Sequence, residues 1–98
     1  MIEKLREVEQ RFEEIEAQLQ SPDNVSNPNE LQRLGKARAE LEDIVPVIRD
    51  YFKALQDLKD AEELLSDPEM RELAQAELDP LRTKITGQEE QLKQMLVT

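Results

Sequence analysis

Asp57, Asp60, Glu62 and Glu63 bring four carboxylates into a short stretch. Carboxylate oxygens hold hard cations such as calcium or magnesium when they converge on one point. At this spacing they spread around more than one helical face, so no metal site is expected from them. A second acidic run comprises Glu3, Glu7, Glu9, Glu13, Glu14 and Glu16. It would suit a cation site or an acidic docking patch, but it reads more simply as the solvated face of a helix. The chain has no Cys and no His. That removes thiolate and imidazole metal ligands, disulfides and the commonest general base. Gly35 and Gly87 stand far apart, so no phosphate-cradling loop can form. The expectation is a chain without catalytic, cofactor-binding or metal residues, and therefore not an enzyme. No motif marks protein-binding residues.

Charge narrows the partners further. The 98 residues carry 13 basic and 23 acidic side chains, a net charge of −10. Such a surface repels a nucleic-acid backbone, so direct nucleic-acid binding is not expected. Apolar residues make up 38% of the chain, with only three aromatics, and this supports a thin seam between helices but no deep core. No apolar run approaches the length of a membrane span. The Met1-Ile2-Glu3-Lys4 start lacks a basic region followed by an apolar block, so no signal peptide is expected and a cytoplasmic setting fits best.

Whatever the surface does must be positioned by helices. Few β-branched residues argue against a sheet. Ile2, Leu5, Val8, Phe12, Ile15 and Leu19 recur at steps of three and four, which predicts a first helix over about 2–20. Ser21 to Ser26 is dense in turn formers, with Val25 expected to tuck against the following helix. Asn27-Pro28-Asn29-Glu30 then supplies a cap, a proline suited to the first helical position and an acidic third residue. From there Leu31, Leu34, Leu41, Ile44, Val45, Ile48, Phe52, Leu55, Leu58 and Leu65 follow one stripe. They predict a helix over about 28–65, roughly 55 Å long, which needs partner helices beside it. Gly35 in this segment suggests close approach of a neighbouring helix. Pro46 suggests a kink, because the apolar stripe continues past it on the same face. Leu41 and Leu55 are expected to be buried.

Ser66-Asp67-Pro68-Glu69 punctuates the chain again, with Asp67 as N-cap and Pro68 opening a third helix over about 68–96. Its stripe runs through Met70, Leu73, Ala74, Glu77, Leu78, Leu81, Ile85, Leu92, Met95 and Leu96, with Asp79-Pro80 as a kink or short break and Gly87 as a weak point. The expected fold is all-α and a single domain over 1–98. It is a three-helix antiparallel bundle, or a long coiled-coil-like helical hairpin with the shorter first helix packed alongside.

One stretch is specific at the family level. Leu64-Leu65-Ser66-Asp67-Pro68-Glu69-Met70-Arg71-Glu72-Leu73-Ala74 resembles a signature of bacterial class I peptide chain release factors, in particular the type that reads UAG and UAA. Lys4-Leu5 with the Glu-rich first helix, the Asp-Asn…Asn-Pro loop and Leu41-Glu42-Asp43-Ile44-Val45 are similar to the same family's N-terminal region. The resemblance implies a helical domain that docks the factor on the stalk base of the large ribosomal subunit. Other domains of such a factor read the stop codon and trigger peptidyl-tRNA hydrolysis. The family's Gly-Gly-Gln and Pro-any-Thr motifs are absent, so the chain is expected to be a piece of a longer protein. The implied partners are a stalk-base ribosomal protein and the rest of the factor. The competing reading is a free-standing antiparallel coiled-coil scaffold or self-association module, which needs only the apolar seam.

Overall fold

The computed structural model describes residues 1–97, all but Thr98. Among the described residues there are five helices and no strand. They are α1 (Ile2–Gln20), α2 (Pro22–Val25), α3 (Pro28–Leu41), α4 (Ile44–Leu64) and α5 (Arg71–Val97). The all-α expectation holds, with five helices where three were expected. By packing, the chain divides into two compact units, Met1–Ile48 and the stretch from Arg49 onward.

In the first unit α1 packs against α3, and α2 touches both. Arg38 of α3 reaches Phe12 and Glu16 of α1, while Leu41 meets Val8. Higher numbers on one helix therefore oppose lower numbers on the other, and the pair is antiparallel. Leu5, Phe12, Ile15, Leu34, Ile44, Val45 and Ile48 are this unit's buried apolar residues. The turn before α3 follows its sequence closely. Asn27 is extended, its side chain accepts from the Glu30 amide at 3.2 Å, and Pro28 opens the helix. The segment before it is not all loop, because Pro22 starts the one-turn helix α2. The Gln18 carbonyl at the end of α1 accepts from the Ser21 amide at 3.2 Å and from the Asn24 side chain at 2.9 Å. Val25 does not tuck in. It is 59% exposed.

The helix expected over 28–65 is two helices. Glu42 and Asp43 form a turn between α3 and α4, so Pro46 is the third residue of α4 and kinks no continuous helix. The reason is local. A proline ring clashes with the carbonyl four residues earlier, here Glu42, and the chain places its interruption there. In the first turn the missing N–H has no helical acceptor to lose, so Pro46 costs little where it stands.

Pro80 behaves differently. It lies in the interior of α5, which continues through it without a break. Neither glycine admits a close neighbour. A Cβ added at Gly35 or Gly87 would meet nothing within 4 Å, so the close approach expected at Gly35 does not occur. Both residues are helical and exposed. Gly35→Ala and Gly87→Ala should therefore each stabilise the chain by about 0.5–1 kcal/mol. Thermal denaturation of each variant checks this, and a fall in melting temperature would contradict it.

Candidate docking surface

α4 and α5 face each other across a layer that mixes apolar and polar groups. Tyr51, Ala54 and Ala61 are buried from α4, and Ala74, Leu78, Ile85, Gln88 and Leu92 from α5. Three of these buried residues, Ala54, Ala61 and Ala74, are small. The Tyr51 hydroxyl donates to the Glu89 carboxylate at 2.7 Å. The Gln88 amide donates to Asp50 at 3.2 Å, and Lys84 approaches the same carboxylate at 3.8 Å. These pairs set an antiparallel register. The buried seam also departs from the sequence stripe. Tyr51 takes the place expected for Phe52, while Leu41 and Leu55 are only half-buried.

Burial pushes the Tyr51 hydroxyl up, and the hydrogen bond and negative charge of Glu89 push it the same way, to about 12 from an ordinary 10.0. A raised acid constant means the folded state favours the protonated form. The resulting stability is complete below pH 10 and is lost as pH climbs toward about 12. Tyr51 is the sole tyrosine in the chain, so tyrosinate absorbance reports it alone. A titration midpoint well above that of free tyrosine is expected. An ordinary midpoint would mean that the hydroxyl is open to water.

The six-residue link from Leu65 to Met70 is closed by its own polar groups. Asp67 accepts from the Glu69 amide at 3.0 Å, and its carbonyl accepts from the Arg71 amide at 2.9 Å. The Arg71 side chain returns to the Leu65 carbonyl at 2.9 Å, and the Ser66 hydroxyl donates to the Glu63 carbonyl at 3.0 Å. Asp67 thus caps as its sequence suggests, but Pro68–Met70 form a turn and the α-helix proper starts at Arg71. The Leu64–Ala74 signature is in large part the chemistry of this turn.

Beside the turn, α4 and α5 form an open groove of about 520 Å³. Asp57, Asp60, Ala61 and Leu64 line it from α4, and Ala76, Glu77, Pro80, Leu81 and Lys84 from α5. Two members of the acidic set therefore meet here, while Glu62 and Glu63 are exposed and take no part in the lining. Asp57 is held by Lys53 at 2.7 Å and Asp60 by Gln56 at 2.9 Å. Among the described residues no group of three or more potential ligands is placed to hold a metal ion. No described helix is long and apolar enough to cross a membrane. The arrangement is an acid-rimmed apolar surface. The sequence reading missed this groove. Its signal was the step of three and four that puts positions 57, 60, 61 and 64 on one face.

A family model described as the PCRF domain matches residues 8–98. The chain belongs to the PCRF domain family. Several of its most similar curated relatives carry the name peptide chain release factor 1. The protein from an Anaeromyxobacter species is 43% identical, that from Solidesulfovibrio magneticus 40% and that from Thermus thermophilus 36%. Each match covers 99% of this chain, but only 27–28% of the relative. This PCRF-family chain thus spans about a quarter of the length of the proteins it resembles. No solved structure matches it.

Proposed function

We propose that the chain serves as one helical domain of a translation termination factor that reads UAG and UAA, and that it docks the factor on the stalk base of the large ribosomal subunit. The observation that carries the reading is the similarity to peptide chain release factor 1 over 99% of the chain. Codon reading and peptidyl-tRNA hydrolysis belong to other parts of such a factor, because this sequence has neither Gly-Gly-Gln nor Pro-any-Thr and neither His nor Cys. The domain acts in the cytoplasm as a docking module and is not itself an enzyme. Its net charge of −10 favours a basic ribosomal protein over bare ribosomal RNA.

The test measures binding of residues 1–98 to an isolated stalk-base ribosomal protein across a salt series, beside a stop-codon release assay. Weak, fast binding that falls as salt rises is expected, with no release activity. Release by this chain alone would refute the assignment of roles. Absence of binding at low salt would remove docking from it.

A further inference from the structure

The groove between α4 and α5 has the geometry of a seat for one more helix. Asp57, Asp60, Ala61 and Leu64 sit at steps of three, one and three, so they share one side of α4. Leu73, Ala76, Glu77, Pro80 and Lys84 share one side of α5 in the same way. The antiparallel register set by Tyr51 with Glu89 and Asp50 with Gln88 brings Leu73 opposite Leu64 at the end near the turn. Both are exposed, Leu73 at 62% and Leu64 at 36%. A leucine that much in water on a hairpin face is an apolar contact without a partner in this chain.

The polar groups of the groove are nearly all acceptors. Pro80 has no N–H, so the Ala76 carbonyl lacks the donor that every regular helix supplies four residues on. Ala76 and Pro80 both line the groove, so that acceptor belongs to a lining residue. Asp60 and Glu77 add carboxylates at the rim. The one cation of the lining, Lys84, leans toward Asp50.

From this we infer that the groove receives an amphipathic helix of a basic partner protein. Leucine-like side chains of that helix lie on Leu64, Leu73 and Leu81. Its lysine or arginine heads donate to Asp60, Glu77 and the Ala76 carbonyl. A second copy of this chain is disfavoured because it brings its own charge of −10. The inference deepens the docking role proposed above and rests on it for the basic character of the partner.

The experiment uses residues 1–98 and two labelled synthetic helical peptides that share a leucine seam. One is flanked by Lys and Arg, the other by Glu, and binding is read by fluorescence anisotropy. The basic peptide is expected to bind and the acidic one not. Asp60→Lys combined with Glu77→Lys, both at exposed positions, should weaken the basic peptide roughly tenfold or more. Glu3→Lys combined with Glu14→Lys makes the same change in net charge on α1 and should weaken it less than about twofold. Circular dichroism confirms that each variant is folded. Equal losses in the two double variants, or equal affinity for the two peptides, would overturn the inference. So would a concentration-dependent dimer abolished by the groove substitutions, since the occupant would then be a second copy.

Stalk-base protein binding is measured in parallel. If it persists unchanged in the groove variant, the groove inference alone fails. If groove-selective peptide binding appears without any stalk-base binding, the docking role alone fails.

Discussion

Replacing Tyr51 with Ala is expected to cost about 3–5 kcal/mol, the range for deleting a buried aromatic ring. Tyr51 is 1% exposed and is the largest fully buried side chain. Ala54, Leu78, Ile85, Gln88 and Leu92 are buried in the same unit, and removing the ring leaves a cavity that a packed core closes only in part. A domain of this size has about 5–15 kcal/mol in total, and the loss should appear as a large fall in denaturation midpoint. Tyr51→Phe separates the two contributions. It keeps the ring and removes only the hydroxyl bond to Glu89, which is half-buried and can turn to water. A cost of about 1 kcal/mol is expected for that variant. Equal losses in the two variants would mean that the polar bond, and not ring packing, holds the pair of helices together.

The second large effect has the opposite sign. Pro80→Ala should stabilise the chain by about 2 kcal/mol. A proline inside a helix costs up to about 3 kcal/mol, mostly through the absent hydrogen bond and the ring clash. Removing it also loosens the unfolded chain, which returns about 0.4–1 kcal/mol. Pro80 is exposed and α5 is already continuous through it, so the backbone needs little movement to form the bond. Chemical denaturation measures the gain. A loss instead would show that the backbone around Pro80 cannot adjust to form the bond. The same substitution gives the Ala76 carbonyl its donor, so greater stability should come with a poorer grip on basic side chains.

The sequence was legible where a residue's own backbone chemistry decides the outcome. Asn27 and Pro28 begin a helix as their types require, and Asp67 caps a turn. The stripes of α1 and α5 locate Leu5, Phe12, Ile15, Leu78, Ile85 and Leu92 in the interior. What failed depends on neighbours that periodicity does not see. Phe52 and Leu55 fit the stripe of α4 as well as Tyr51 and Ala54 do. The seam buries the latter, and there the tyrosine hydroxyl finds Glu89. Pro46 and Pro80 show the same limit. Each lacks an N–H, but Pro46 stands in the first turn of α4, after the turn at Glu42 and Asp43, where no helical bond is lost, whereas Pro80 stands in the interior of α5. The groove escaped notice because its walls are alanine, proline and carboxylates, residue types that mark nothing individually.

The polar closure of the link between α4 and α5 has a kinetic consequence. Only six residues separate the two helices, and Asp67 and Arg71 fix the reversal with bonds that span a few positions. The entropy needed to bring the helices together is therefore small, and contacts form in sequence order outward from the turn. A hairpin assembled this way zips from its tip. The groove lies next to that tip, so it is among the first surfaces to exist as the chain folds.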